Sequence, residues 1–229
     1  MPTLLANRLG ANDINCALPG SSNSGIARRT INQLHISKQL PFVAVMWSFP
    51  NRYEFRFDYD TNSRESPWRS CTVWDLEADT DKIIKEFRNS DRSIAQHHLN
   101  NIRWLQKTGM QKFLQEFYKH VGHTEYWETY NSLTSMIMLQ NFLKVNNVPY
   151  VFTICDNMIF ETYTWKNPDI NIVALKDQID WSRWYLFDDT LGFNQWATKH
   201  NYSYGTTHPL HQAHIDAAKL LEKHINEMD

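Results

Sequence analysis

Two short apolar runs constrain this chain more than anything else in it. FVAVMW at 42–47 follows Pro41, and YVFTIC at 150–155 follows Pro149. Both are too short for a helix and hold β-branched residues, and both empty into polar loops, SFPNR after the first and Asp156-Asn157 after the second. Continuous apolar runs of this length predict strands buried on both faces, and the sheet that buries both faces is a parallel one. The stretch ahead of the second run agrees. Residues 125–145 carry Leu133, Ile137, Leu139, Phe142 and Leu143 at helical spacing and stop at Asn146-Asn147. Helix, short linker and buried strand form the repeat unit of a parallel α/β fold. In such sheets ligands gather outside the carboxyl ends of the strands, so the two polar loops are where a site is expected.

The remaining elements are ordered around these. Residues 3–9 read as the last turns of a helix stopped by Gly10, and Ile14, Cys16 and Leu18 as a short strand that meets a Pro19-Gly20 turn. A helix over 24–36 presents Ile26, Ala27, Thr30, Ile31 and Leu34 on its apolar face. Residues 53–59 alternate as a strand, and 60–75 hold turn signals with a second aromatic strand around Cys71–Trp74. Helices are expected over 79–88, 92–106 and 109–121. Between 157 and 205, Trp165, Trp181, Trp184 and Trp196 are scattered through loops and short helices, and His208-Pro209 introduces a last helix over 210–226. With no internal repeat, domain linker or charge block, the reading is one α/β domain over 1–229 with a peripheral insertion at about 60–125.

Composition narrows the partners. A net charge of -2 and a pI near 6.5 give no electrostatic footprint for nucleic acid. Three widely spaced cysteines form neither a disulfide framework nor a zinc pattern, and Cys16 and Cys155 lie in apolar runs as buried thiols. The N-terminal residues lack a signal-peptide pattern and no apolar stretch reaches the length of a membrane span, so the expectation is synthesis in the cytoplasm and no membrane partner. Nine Trp and ten Tyr serve a core first, but aromatics also line carbohydrate and other ligand grooves.

The stretch 13–29, DINCALPGSSNSGIARR, is the richest in chemistry. A strand that ends in a Gly turn and opens a helix aims several backbone N–H groups at one place, which suits an anion or a developing oxyanion. The simpler reading makes Ser or Asn an ordinary N-cap. Ser22 paired with His208 is a candidate nucleophile and base, because a hydroxyl needs an adjacent imidazole to attack near neutral pH. His208-x-x-His211-x-x-His214 invites a metal reading, but His208 precedes the helix and no carboxylate or thiolate joins it, so no metal and no cofactor are assigned. His97-His98 reads as two exposed helix positions. Arg52 and Glu54 share one face of a strand; the default reading is an ordinary solvated face, with an ion pair or an anchor for an anionic or hydroxylated substrate as the alternatives. Asp156, at a strand end, has the position to orient a histidine.

Taken together, Asn15–Asn23 (NCALPGSSN), the 42–47 strand running into Ser48 and Arg52, and His208-Pro209-x-x-x-Ala213-His214 resemble the SGNH (GDSL-like) hydrolase superfamily. The likeness is closest to a divergent branch found in phage and bacterial genomes. It implies a flavodoxin-like three-layer α/β/α sandwich with a mostly parallel sheet. It implies a serine esterase or deacylase acting on a small ester, such as an O-acyl group on carbohydrate, without a cofactor. His208 falls on the base and Gly20 on the second-block glycine, with Asn23 beside it in the oxyanion nest and Ser48 and Arg52 toward the substrate. The third-block Asn is not evident after Trp47, so Ser48 or Asn51 stands in. Gly205 occupies the position of the acid before the His, leaving Asp156, Asp188 or Asp189 to supply it. Two readings of the nucleophile stay open. In one, 13–25 is the second block and the nucleophile strand is missing from the chain, which makes it inactive, a ligand-binding or structural module such as one associated with a virus particle, or starts its reading frame too late. In the other, Ser22 in Gly20-Ser21-Ser22 attacks.

Overall fold

A computed structural model describes residues 2–37, 42–56, 68–73, 76, 100, 103–161, 169–205 and 208–228. Helix α1 (Pro2–Arg8) ends where expected, with Gly10 at φ 65° reversing the chain. Helix α2 (Asn23–Ile36) begins at Ser22, whose Oγ accepts the Gly25 N–H at 3.0 Å. Between them the expected strand is absent. Ile14 and Leu18 are exposed, and the local backbone is engaged by side chains instead: Ala17 N–H donates to Asn15 Oδ1, and Arg29 Nε donates to the Cys16 carbonyl. A lone extended segment with no neighbour to complete a ladder has nothing to hold it as a strand.

The two apolar runs do pair. Strands β1 (Val43–Trp47) and β4 (Tyr150–Ile154) lie parallel, Val45 opposite Phe152, and a single bridge joins Phe152 to Trp184. Strand β4 is buried at all five positions. Strand β1 is not: Val43, Val45 and Trp47 face a core shared with α2 and with α4 (Glu125–Val145), whereas Ala44 is exposed. Met46 packs on the other side, against the cluster of Phe187, Phe193, Trp196, Ala213 and Ala217. The expectation of two buried faces therefore holds for one strand and fails for the other.

Helix α4 owes its start to Thr124, which caps the Trp127 N–H, and to Glu125 and Glu128 in a first turn where negative charge is favoured. Its buried face holds Leu133, Met136, Ile137, Leu139 and Leu143, and Asn147 at φ 54° turns the chain into β4. Strands β2 (Tyr53–Arg56) and β3 (Trp68–Cys71) form an antiparallel pair, so the second aromatic strand starts earlier than its expected 71–74 position. They pack with α3 (Met110–Phe117) and the π turn after it around Tyr53, Cys71, Leu114 and Tyr118, a core separate from the main one. The helices expected over 79–88 and 92–106 lie outside the described residues except near 100 and 103–106, and His97-His98 lie wholly outside them. The described residues of the tryptophan-rich region include α5 (Met158–Glu161), α6 (Ile170–Lys176), a 3-10 turn at Trp181–Arg183 and α7 (Phe193–Lys199), and α8 (His211–Glu227) follows; Trp165 lies outside the described residues. No helix among the described residues is long and apolar enough to cross a membrane.

Candidate functional site

Three segments meet at the carboxyl ends of β1 and β4: the first turn of α2, the loop Ser48–Arg52 and the residues after Ile154. Asn23 joins the first two. Its side-chain amide donates to Ser132 Oγ at 3.0 Å and to the Ser48 carbonyl at 3.3 Å, while its Oδ1 accepts the Ser48 N–H at 2.8 Å. Every polar atom of that buried side chain is committed to holding β1 against α2 and α4, so an oxyanion would meet the backbone here and not the Asn23 amide.

Ser22 is equally committed. It is 0% exposed, caps Gly25, and lies 3.1 Å from Ser24 Oγ. Gly20, at φ 71°, supplies the left-handed turn that delivers the chain to this cap. His208 is exposed, its carbonyl accepting the Gly205 N–H, and among the described residues no hydrogen bond engages its ring or joins it to Ser22. Among the described residues no histidine bonds to Asp156, whose Oδ1 accepts the Met158 N–H at 3.0 Å. The histidine–carboxylate contact in this part of the chain is instead His200 with Asp188, 3.0 Å apart on the surface.

Glu54 lies neither on a solvated face nor in a pair with Arg52. Glu54, its side chain 4% exposed, receives Arg28 Nε and Nη2 at 2.8 Å each and Arg29 Nη1 at 3.4 Å. Arg28 also lies over the Trp68 ring at 4.4 Å. Geometry decides the partner: Glu54 lies so close to the first turn of α2 that a Cβ on Gly25 would stand 2.8 Å from its Oε1. Arg52 is left with Ser48 Oγ, at 2.9 Å, and the face of Phe49. Among the described residues no carboxylate pairs with it. Burial pulls its pKa below the ordinary arginine value, though a guanidinium stays charged throughout the physiological range.

Burial pushes the Cys155 thiol up to about 12, with Asp156 adding to the effect and Arg52 opposing it, so it carries no thiolate near neutral pH. Cys71, not Cys16 or Cys155, is the fully buried cysteine. Among the described residues no three His, Cys, Asp or Glu side chains group as metal ligands. His214 packs its ring against Phe193, 4.9 Å between ring centroids.

The sequence reading missed an open cleft beside Asp156, lined further by Asn194, Gln195, Thr198, Lys199 and Tyr204. Its signal was present: on α7 the polar positions 194, 195, 198 and 199 share one face opposite Phe193, Trp196 and Ala197. No family model matches the chain, and comparison with curated proteins and with solved structures returned no match.

Proposed function

We propose that the chain is an SGNH-like α/β domain, its parallel strands the centre of a flavodoxin-like three-layer α/β/α sandwich. In this reading it binds a small acyl-bearing ligand, an ester or its carboxylate, at the rim where α2, the Ser48–Arg52 loop and the end of β4 converge. Ser22 does not attack. The observation that carries the reading is Arg52, a partly buried guanidinium whose partners among the described residues are a hydroxyl and an aromatic face. A buried cation without a counter-charge costs free energy that a carboxylate or polarised carbonyl would offset, and the planar fork suits two oxygens at once. The N–H groups of Asn23 and Ser24, at the start of α2, have no partner inside their helix and add donors at the same rim.

Titrating the protein with sodium acetate and with ethyl acetate, followed by amide chemical shifts, tests this. Shifts at 22–24 and 48–52 that vanish in Arg52→Gln are expected; no shift at those residues with either probe removes the reading. A second reading, hydrolysis through Ser22 and His208, is favoured by the exposed His208 ring, which makes no hydrogen bond among the described residues. Turnover of p-nitrophenyl acetate that disappears in both Ser22→Ala and His208→Ala would establish it. The expectation here is no turnover above the buffer rate.

A further inference from the structure

We propose that the cleft between α7 and Tyr204 is a saccharide site that takes one neutral pyranose ring. Its volume, about 460 Å³, falls within the range of small-molecule pockets, and its lining mixes hydrogen-bonding groups with one aromatic wall. The cleft is built rather than incidental. The apolar face of α7 is anchored in the core through Phe193, Trp196 and Ala197, which fixes the opposite, polar face toward the cleft. Asn194 N–H donates to the Cys155 carbonyl at 2.9 Å, tying α7 to the exit of β4. Asn157 N–H donates to Gln195 Oε1 at 3.3 Å, and the Asn157 side chain also accepts the Gly192 N–H and donates to the Thr190 carbonyl. Gly192 lies flat on the Asp156 backbone, where a Cβ would come within 2.8 Å of Asp156 Cα.

These bonds define what is left for a ligand. Gln195 has spent its carbonyl oxygen and keeps its NH₂ group. Asp156 has used Oδ1 on Met158 and keeps Oδ2. The Asn194 side chain keeps both its donor and its acceptor. Acceptors and donors alternating over so short a surface match vicinal hydroxyls, each of which gives one hydrogen bond and accepts others. The lining carries one carboxylate, Asp156, and one ammonium, Lys199, itself 2.7 Å from Asp188, so it presents no field of a single sign that would favour an ion over a neutral ring. Tyr204 donates its hydroxyl to the Asn194 carbonyl at 2.7 Å and lies 3.0 Å from Thr198 Oγ1, so its ring is held as a wall for the apolar C–H face of a sugar. The cleft does not rest on the reading above.

The test is an amide chemical-shift titration of the full chain with methyl β-D-glucopyranoside, methyl β-D-galactopyranoside and N-acetyl-D-glucosamine, with inorganic phosphate as the charged control. At least one sugar is expected to move residues 194–199 and 204. Asn194→Ala, which removes no hydrogen bond among the described residues, is expected to weaken that sugar about three- to tenfold, the worth of one neutral hydrogen bond. Silence with all three sugars, an equal response to phosphate, or sugar affinity untouched by Asn194→Ala overturns the proposal. Sugar binding without any acetate response keeps this site and removes the Arg52 reading; the opposite pattern removes this site alone.

Discussion

Arg28 and Arg52 lie near the same end of α2 and live in opposite circumstances. Arg28 shares Glu54 with Arg29 in a nearly closed cluster, and Arg29 donates further to Ser21 Oγ at 2.6 Å. Arg52, four residues past Ser48, has a hydroxyl, a ring face and no carboxylate among the described residues. A satisfied buried ion cluster fixes how elements pack and offers little to a ligand. An unsatisfied one contributes little to stability and leaves its interaction free energy for something that arrives later.

The comparison can be broken in order of expected effect. Glu54→Ala strands two arginines against a buried surface and should cost about 3–5 kcal/mol in denaturant unfolding, as loss of one partner of a buried pair does. A cost below ~1 kcal/mol would show that the cluster is solvated. Asn23→Ala leaves the Ser48 N–H and Ser132 hydroxyl without their partner, and an expected loss of about 2 kcal/mol would be read the same way. Ser22→Ala removes a helix cap, for which ~1 kcal/mol is usual; loss of an ester-hydrolysing activity along with it would move Ser22 from structure to chemistry. Arg52→Gln should change stability by less than about 1 kcal/mol, in either direction. Should it cost as much as Glu54→Ala, Arg52 is a packing residue and the contrast between the two arginines is lost.

The smallest effect concerns protons. Burial lowers the pKa of both His214 and His224 below the ordinary histidine value of 6.5. The unfolded chain then takes up protons first as pH falls, so the stability these rings confer is complete above that value and is lost as pH drops through it toward the folded-state pKa. Thermal midpoints should decline on acidification, and His214→Phe should flatten the decline. A wild-type midpoint unchanged over that interval would contradict the burial of both rings.

Much of the frame was legible. Strands β1 and β4, helices α2, α4 and α8, and the break at Gly10 follow from apolar periodicity, capping residues and left-handed turns, all of which act over a few residues. The chain by itself therefore determined a mixed α/β fold with a parallel strand pair, and it placed Ser22 at a helix start. What it could not determine was which groups meet across distance. Whether residues 14–18 find a strand partner, whether Ala44 is covered, and which arginine claims Glu54 depend on segments brought together by packing. A carboxylate pairs with the cation that arrives with the best geometry and the least water, and Arg28 and Arg29 of α2 reach Glu54 where Arg52, two residues away in sequence, does not. The same holds for the cleft on α7: its polar face is written in the sequence, but only tertiary structure sets Asp156 and Tyr204 opposite it, because hydrogen bonds from Asn157 and Asn194 pin that helix to the end of β4.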